Sequence, residues 1–489
     1  MKRLSFTLYA ILSAFIMSSG CMKVGPDYER PDSGFEPPRS YVHSIEEIAD
    51  PHPPDRWWQA FGDPELDQLV EKTLINNLDI KMAAARILEV RSQFLLARAD
   101  RFPVINLQAQ GERQSQPVVG ILPGESFRNR TDIHSLSLPA SFEIDLWGRL
   151  ARAEEAAKAD LLQAEEDRRT VAQTVVAETI SLYLEMESLE RRMQVTLMSI
   201  ENYRRSLTLV EGRYERGLSS ILDLRQARRT LARAEAGLPS LRQELGDTQN
   251  RLAVLIGRYP ETRSPRLHPK DYFRLPAPVP PGLPSDLLSR RPDIRAAEAR
   301  VMASSARVGM ATASRFPSIT LTGSFGYISE ELDELIRPQS ELWNIAAGLV
   351  QPLYDAGKLK AGQRAAEAIY QQNAVEYAKT VLKAFSEVEN ALLTRKEQLE
   401  RRDRVLAFLN EARATQKVAE HRYMRGLVDY LTVLEAQQTR FQAEQDVILV
   451  DLALLINRVT LHRALGGGWA ELEPVGGEEV SGPLSIFGW

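Results

Sequence analysis

Two periodicities alternate along the chain. From Leu182 to Tyr214, apolar or weakly polar residues recur at alternating steps of four and three. A period of 3.5 residues is the signature of left-handed coiled-coil helices. The seam comprises Leu182, Met186, Leu189, Met193, Thr196, Ile200, Tyr203, Leu207, Val210 and Tyr214, and a weaker one comprises Val381, Phe385, Val388, Leu392, Leu399, Leu406 and Leu409. The pattern predicts long helical segments at about 150–216 and 358–425.

Four shorter segments alternate apolar and polar residues with the period of two that is typical of β-strands. We predict strands at about 104–111, 135–144, 318–326 and 342–351. Segments of about 8–11 residues suit tilted membrane-spanning strands, with one face towards lipid and the polar face towards a watery lumen. A soluble antiparallel sheet with one solvated face would show the same alternation. The strand pattern alone leaves both interpretations open.

The body of the chain is one unit present twice. Arg101-Phe102-Pro103 recurs 214 residues later as Arg315-Phe316-Pro317. Arg213-Tyr214-Glu215-Arg216-Gly217-Leu218 recurs 209 residues later as Arg422-Tyr423-Met424-Arg425-Gly426-Leu427. Each copy predicts a helix, two strands and two long helices. The predicted parts are a first repeat at 63–258 with long helices in 150–257, a Pro-rich connector at 259–283, a second repeat at 284–466 with long helices in 358–465, and a tail at 467–489.

The start of the chain has the pattern of a targeting signal. Lys2 and Arg3 precede an apolar run from Leu4 to Met17, which fits a signal peptide at 1–20. Small residues then precede Cys21, the single cysteine, as at a bacterial lipoprotein processing site. We expect a covalent lipid on Cys21 and a lipid-anchored segment at 21–62; an ordinary secretory signal is the alternative. An Asp directly after the lipidated Cys often retains lipoproteins in the inner membrane. Residue 22 is Met instead, which favours the outer membrane.

Charge and composition exclude several functional classes. The 61 Lys and Arg against 66 Asp and Glu give a net charge of −5, which argues against a nucleic-acid partner. One cysteine excludes a disulfide framework, and the six histidines show no metal-ligand spacing. The sequence holds no phosphate-binding glycine loop, no HExxH and no nucleophile elbow. We therefore expect no enzyme, no catalytic residues, no metal and no cofactor beyond the lipid.

The number of predicted strands per chain indicates the oligomeric state. Four strands cannot close a barrel, and an open sheet in lipid would leave backbone groups unpaired. Two chains would supply eight strands around a filled interior, whereas three would supply twelve around an open lumen. A wide tube of long helices also suits a trimer. We predict a mainly α fold with a β-barrel, in which a homotrimer forms a 12-strand barrel that continues as an α-helical tunnel.

Four motifs give the chain a family resemblance. They are Gly25-Pro26-Asp27-Tyr28-Glu29-Arg30-Pro31, Trp57-Trp58 followed by Phe61 and Asp63-Pro64, Arg290-Arg291-Pro292-Asp293-Ile294, and Ala464-Leu465-Gly466-Gly467-Gly468-Trp469. With the lipoprotein signal and the duplication, the chain resembles the outer-membrane factor (TolC-like) family, specifically the NodT-like lipoproteins of RND-type efflux systems. This resemblance implies a passive trimeric exit duct, with a 12-strand outer-membrane barrel and a periplasmic α-helical tunnel. It also implies that the duct works with a periplasmic adaptor and an inner-membrane pump.

The resemblance also places a gate at the helical breaks. It implies an apolar pore ring at Leu431 and an acidic ring at Glu435, four residues apart and hence on one helix face. Glu435 could instead be a solvated surface carboxylate. Related ducts hold the closed tip through a pair that corresponds to Asp223 and Tyr423.

Adaptor docking is expected at the two turns, Arg216-Gly217 and Arg425-Gly426, for which a purely structural turn role is the alternative. A periplasmic coiled-coil lipoprotein scaffold without a pore is the competing hypothesis for the whole protein. It would have no need of the alternating strands.

Overall fold

The computed structural model describes residues 23–31, 38, 40–43, 56–119, 126–261, 279 and 284–467. The predicted signal peptide at 1–20, Cys21, most of the connector at 259–283 and residues 468–489 of the tail lie outside the described residues. None of the helices in the described ranges is both long enough and apolar enough to cross a membrane.

Helices dominate the described chain. They are α1 (Pro64–Asn76), α2 (Leu78–Ala99), α3 (Arg149–Glu215), α4 (Ile221–Leu255), α5 (Leu287–Arg290), α6 (Pro292–Ala313), α7 (Lys358–Met424) and α8 (Tyr430–Ala464). The helices α3 and α7 have 67 residues each, and α4 and α8 have 35 each. The equal lengths of corresponding helices reflect the duplication of the sequence.

The first helical stretch of the first repeat is two helices rather than one. Asn77 interrupts it, because its side-chain oxygen accepts hydrogen bonds from the backbone N–H groups of Asp79 (2.9 Å) and Ile80 (3.0 Å). Its amide nitrogen donates to the carbonyl of Leu255 at 2.8 Å. Asn77 therefore caps α2 and ties its start to the end of α4.

The strands are β1 (Val104–Ile105), β2 (Gln108–Val119), β3 (Ser126–Ile144), β4 (Ser318–Ser329) and β5 (Glu341–Val350). The prediction of one strand at 104–111 is wrong in detail, because the chain has a short β1 and a separate, longer β2. The predicted strand at 135–144 also begins nine residues earlier, at Ser126. The extension went unpredicted because its residues do not alternate apolar with polar.

The strands form one antiparallel sheet. Both β1 and β2 pair with β3, β3 pairs with β4, and β4 pairs with β5. The registers run without a bulge from Gln108↔Ser137 to Val119↔Ser126 and from His134↔Ser329 to Ile144↔Ile319. All four connections to helices lie at one end of the sheet, and the two hairpin ends lie at the other.

The described chain divides into two compact units, each built from both sequence repeats. The sheet unit comprises the described residues within Met1–Asp32, Ile87–Ala164 and Ala297–Tyr377. The helical unit comprises the described residues within Ser33–Arg86, Glu165–Ala296 and Ala378–Trp489. The repeats are therefore units of sequence, while each compact unit combines corresponding segments of both.

The sheet unit has an aromatic contact at its helix end. The Trp147 indole N–H donates to the carbonyl of Pro317 at 2.8 Å, and its ring stacks on Phe316 with centroids 4.8 Å apart. The Arg-Phe-Pro element of the second repeat thus anchors the chain where β3 leads into α3. Ala356 occupies the position of Trp147 in the second repeat, so Phe102 lacks the corresponding partner and is exposed.

The predicted seam of α3 forms the core of the helical unit. Seven of its ten residues are buried: Leu182, Met186, Leu189, Met193, Ile200, Tyr203 and Val210. The five from Leu182 to Ile200 pack with residues of α1 and α4, including Leu66, Val70, Leu241, Leu245 and Leu252. Tyr203 and Val210 belong to a second cluster, with Leu224 of α4 and Val433 of α8. Tyr214 is 40% exposed, because it lies in the last turn of α3, where the neighbouring helices end. The 3.5-residue period therefore identifies the packed face of this helix.

One histidine in this unit makes stability depend on pH. The ring of His462, only 2% exposed, stacks on Trp57 at 4.5 Å, and neither ring nitrogen has a hydrogen-bond partner among the described residues. Burial, and then the charge of Arg458, lowers the pKa of His462 to about 3. The folded chain keeps the ring neutral while the unfolded chain binds a proton below about pH 6.5, so the free energy of unfolding falls as pH falls from there.

We expect His462→Phe to flatten this dependence while keeping the stacking on Trp57. Between pH 6.5 and 4.5, wild type should lose on the order of 2 kcal/mol that the variant retains, since a tenfold change in proton affinity corresponds to about 1.4 kcal/mol. Thermal unfolding in detergent at the two pH values measures the difference. The exposed His421, replaced by Phe, is the matched control. An equal loss of melting temperature in His462→Phe and wild type would contradict the assignment.

Candidate functional site

The sheet has one apolar and one polar face. Because side chains alternate and the registers hold no bulge, each face can be followed across neighbouring strands. The apolar face carries Leu136, Leu138, Ala140, Phe142 and Ile144 of β3, Ile319, Leu321, Phe325 and Tyr327 of β4, and Trp343, Ile345, Ala347 and Leu349 of β5. Trp343, Ile345 and Leu349 are at least 65% exposed. A chain that exposes so many large apolar side chains on one sheet face requires an apolar environment.

The opposite face is polar, as predicted for a lumen. It carries Gln108, Gln110, Glu112, Gln114 and Gln116 of β2, Ser135, Ser137, Ser141 and Glu143 of β3, and Ser318, Thr320, Thr322 and Ser324 of β4. At the helix end of this face, the Arg149 guanidinium donates to both carboxylate oxygens of Glu143, at 3.0 and 2.7 Å. Small hydroxyl and amide groups on one face and large apolar groups on the other match a strand between water and lipid.

Both edges of the sheet lack a partner strand within the described part of the chain. β5 forms one edge, and every residue of it is exposed. β1 and β2 form the other edge. A bilayer offers no water to these backbone groups, so the edges need strands from other chains. Because β1 and β2 lie on the same side of β3, the sheet is four strands wide. The prediction of twelve strands in a trimer depends on this width.

The two predicted tip turns have the same backbone geometry. At the first turn, Gly217 has φ +71, its N–H donates to the Tyr214 carbonyl (2.9 Å), and the Leu218 N–H donates to the Arg213 carbonyl (2.8 Å). At the second, Gly426 has φ +73 and the corresponding distances are 2.9 and 3.0 Å. This pattern is the Schellman motif, which requires a left-handed residue just past the helix. The glycines therefore have a structural role, and Arg216 and Arg425 beside them are exposed.

Each turn is followed at once by a capped helix. Ser220 and Asp223 form a capping box at the start of α4, with the Ser220 N–H donating to the Asp223 carboxylate at 2.9 Å. At the start of α8, Asp429 accepts from the hydroxyl of Thr432 at 2.6 Å and from its N–H at 3.0 Å. These bonds, the hydroxyl bond first, lower the pKa of Asp429. Short turns between a Schellman motif and an N-cap fix the geometry of both hairpins.

Within the single chain, the two predicted tip-closure residues contact other groups. The Asp223 carboxylate is engaged in the capping box. Tyr423 is buried, its hydroxyl lies 3.3 Å from that of Ser219, and its ring is 5.8 Å from the Tyr430 ring and 4.8 Å from the Arg213 guanidinium carbon. A contact between Asp223 and Tyr423 across neighbouring chains stays a prediction.

The two predicted pore residues share the solvent face of α8. Leu431 is 40% exposed and Glu435 is also exposed. The other side of the same turns is buried and includes Tyr430, Val433, Leu434, Ala436 and Gln437. Burial raises the pKa of Tyr430 to about 12. Leu431 and Glu435 therefore lie on the exposed side of a well-packed helix, and their role as pore rings stays a prediction.

Sequence reasoning missed a hydrogen-bonded network behind this face. Gln437, 2% exposed, donates to the Ser206 hydroxyl (3.1 Å) and to the Glu420 carboxylate (3.0 Å). Gln416 also donates to Glu420, at 2.7 Å, and accepts from Arg440 at 3.2 Å. The network joins α3, α7 and α8, and no periodicity signals it because its members come from three distant segments.

Exposed apolar residues at the turns were missed as well. They are Leu218, Ile221, Leu222, Met424 and Leu427, each more than half exposed. Their clustering around two glycines was the available signal. Within the described ranges, the structure holds no group of three or more acidic, His or Cys side chains able to hold a metal ion.

Comparison with known proteins agrees with this geometry. The family model described as "Outer membrane efflux protein" matches residues 69–258 and 283–467. The cation efflux system protein CusC of Escherichia coli is 33% identical over 462 residues, which cover 93% of this chain and 97% of CusC. The probable outer membrane lipoprotein SilC of Salmonella typhimurium is 31% identical, with coverage of 95% and 99%.

The fold agrees with solved structures too. The outer-membrane channel OprN superimposes with a TM-score of 0.84 at 32% identity, over 91% of this chain and 99% of OprN. This match confirms the predicted fold class, and the relatives confirm an outer-membrane efflux role. The chain belongs to the outer membrane efflux protein family.

Proposed function

We propose that three copies of the chain close a twelve-strand barrel and form the passive exit duct of a tripartite efflux system. The main support is the sheet, which is four strands wide and has an apolar face suited to lipid, a polar face and two unpaired edges. β5 of one chain would pair with the β1 and β2 edge of the next, so that every edge is satisfied. A periplasmic adaptor and an inner-membrane pump, of the RND type, supply the substrate and the energy.

The exposed tip supports the adaptor proposal. Leu218, Leu222 and Leu427 surround the two glycine turns and are at least 62% exposed, with Arg216 and Arg425 beside them. Apolar residues with flanking arginines are typical of protein interfaces. The adaptor's hairpins would therefore dock on Arg216-Gly217 and Arg425-Gly426.

Lipid anchoring at Cys21 is part of the same proposal. The described chain begins two residues later at Lys23, whose backbone packs against Gly148 between β3 and α3. The Val24 N–H donates to the Trp147 carbonyl at 3.0 Å. Two residues span at most about 7 Å, so acyl chains on Cys21 would start close to the helix end of the sheet. That is the level at which a barrel meets the inner leaflet of the outer membrane.

Single-channel conductance of detergent-extracted protein in a planar bilayer tests the duct and its gate. We expect small, cation-selective steps in wild type, because three Glu435 carboxylates converge at the narrowest point and attract cations. Glu435→Ala should alter the conductance and lower the preference for cations over anions severalfold. Glu411→Ala, at an exposed carboxylate of α7, is the matched control and should behave as wild type.

The possible outcomes separate the hypotheses. If Glu435→Ala leaves the conductance unchanged, the duct hypothesis stands and the constriction lies elsewhere in the channel. The absence of any conductance, even after Asp223→Ala is introduced to loosen the tip, would contradict the duct and favour the scaffold.

A further inference from the structure

The β2–β3 hairpin extends beyond the rest of the sheet. β3 pairs with β4 only from His134 to Ile144, whereas its pairing with β2 continues to Ser126. Eight residues of β3, from Ser126 to Ile133, therefore form a two-stranded ribbon at the end opposite the helices. Because the helices of such channels lie in the periplasm, the ribbon projects from the outer surface of the membrane.

The ribbon continues both faces of the sheet. Its register with β2 has no bulge, so residues at even positions of β3 keep one face throughout. Arg128 and Arg130 accordingly lie on the same face as Leu136 and Leu138, which is the lipid-facing side. The other face of the ribbon continues the polar lumen with Gln114, Gln116, Asn129 and Thr131.

Two arginines on the lipid-facing side are available to an anionic partner. The Arg113 guanidinium is already paired, since it donates to both oxygens of Asp132 at 2.5 and 2.6 Å. Arg128 and Arg130 are exposed and have no acidic partner within the described part of the chain. Their side chains leave the strand about 7 Å apart, given a rise of about 3.4 Å per residue.

Their height suits the headgroup layer. Arg130 and Arg128 lie six and eight residues beyond Leu136, the last apolar residue of this face. A strand tilted by about 45° rises roughly 14 to 19 Å over that distance, above the hydrocarbon layer. In the outer leaflet of a bacterial outer membrane, that level is occupied by phosphorylated sugars.

We propose that Arg128 and Arg130 bind the phosphate groups of lipopolysaccharide around the outer rim of the barrel. Guanidinium groups hold phosphate oxygens bidentately, and three chains would offer six of them. The β4–β5 loop is acidic, with Glu330, Glu331, Asp333 and Glu334 against Arg337, so it repels phosphate and confines the contact to the ribbon. The inference builds on the proposed barrel and adds a lipid partner to it.

Binding of fluorescent bisphosphorylated lipid A to detergent-purified full-length trimer tests the proposal. Arg128→Gln/Arg130→Gln should weaken binding about tenfold or more, because it removes two charge-assisted contacts per chain. Arg242→Gln/Arg251→Gln, at two exposed arginines of α4, is the matched control and should bind as wild type. Dephosphorylated lipid A should bind wild type as weakly as it binds the ribbon variant.

Two results would overturn the proposal. The first is equal affinity of wild type and Arg128→Gln/Arg130→Gln for lipid A; if that variant also melts at a lower temperature, the arginines pair with the neighbouring acidic loop instead. The second is full displacement of lipid A by millimolar inorganic phosphate, which would indicate a simple anion site. Conductance of the same preparation shows separately whether the barrel has formed, so failure of the lipid contact and failure of the duct are distinguishable.

Discussion

Replacing Gly326 by valine is expected to prevent assembly of the barrel. Gly326 pairs with Ser137 in the middle of the β3–β4 register. A Cβ atom at this position would collide with the Leu136 carbonyl oxygen and lie 2.7 Å from the Ser137 Cα. These are backbone atoms, which cannot give way unless the two strands separate or shift register. A shift of one residue would exchange the lipid-facing and lumen-facing side chains of a whole strand.

We expect this substitution to cost at least about 3 kcal/mol, at the upper end of overpacking penalties, and to leave little trimer in the outer membrane. The fraction of heat-modifiable trimer on semi-native gels, measured from isolated outer membranes, reports assembly. Gly348→Val is the matched control, since Gly348 lies on the same polar face of the adjacent strand and a Cβ atom there would be 3.9 Å from its nearest neighbour, the Thr320 carbonyl oxygen. Normal assembly of Gly326→Val would show that the β3–β4 register is different.

Removal of the Arg291 side chain should cause the second large loss. This guanidinium, 8% exposed, donates to Asp293 at 2.7 and 3.0 Å, to Glu387 at 2.7 Å and to the Ala464 carbonyl at 3.0 Å. Burial opposes the charge of Arg291, but the bonds and charges of Asp293 and Glu387 outweigh it and raise its pKa. The side chain thus joins the start of α6 to α7 and to the end of α8.

Arg291→Ala would leave two partly buried carboxylates and one carbonyl without their donor. We expect a loss of about 3 kcal/mol in the free energy of unfolding, as for other broken buried ion pairs. The stability of Arg291→Lys should lie between those of wild type and Arg291→Ala, because lysine keeps the charge and loses the bidentate geometry. Thermal unfolding of the purified protein measures the effect, with Arg290→Ala as the neighbouring control. Equal melting temperatures for Arg291→Ala and Arg290→Ala would contradict the role assigned to the network.

Arg291 also shows what a motif does and does not reveal. The run Arg290-Arg291-Pro292-Asp293-Ile294 was recognisable in the sequence as a family feature. Its chemistry depends on Glu387 and Ala464, which lie 96 and 173 residues away. No local pattern relates positions so far apart, so only the folded chain distinguishes the buried Arg291 from Arg290.

At the candidate gate, too, some features could be predicted from the sequence and others could not. The spacing of four residues placed Leu431 and Glu435 on one helix face, and the structure shows both exposed on that face of α8. The sequence did not foresee that Asp223 would close a capping box, although Ser220 three residues earlier is the signal for one. The roles of the two residues as pore ring and of Asp223 as a lock between chains stay predictions.

Elements with local signals could be predicted from the sequence alone. Periods of 3.5 and 2 residues identified the long helices and the strands, apart from the separation of β1 from β2 and the length of β2 and β3. Recurring residues at offsets of 209 and 214 identified the duplication. Glycines marked the tip turns, because a Schellman motif needs a left-handed residue that glycine adopts without strain. These properties depend on the backbone and on the nearest neighbours along the chain.

Features that join distant segments became visible only in the folded chain. It extended β3 to Ser126, because β2 satisfies the backbone of residues that have no apolar alternation. It divided the first helix at Asn77, whose amide reaches Leu255, and it buried Gln437 between Ser206 and Glu420. Hydrogen bonds between distant segments depend on which residues the fold brings together, and a periodicity of side chains carries no information about that.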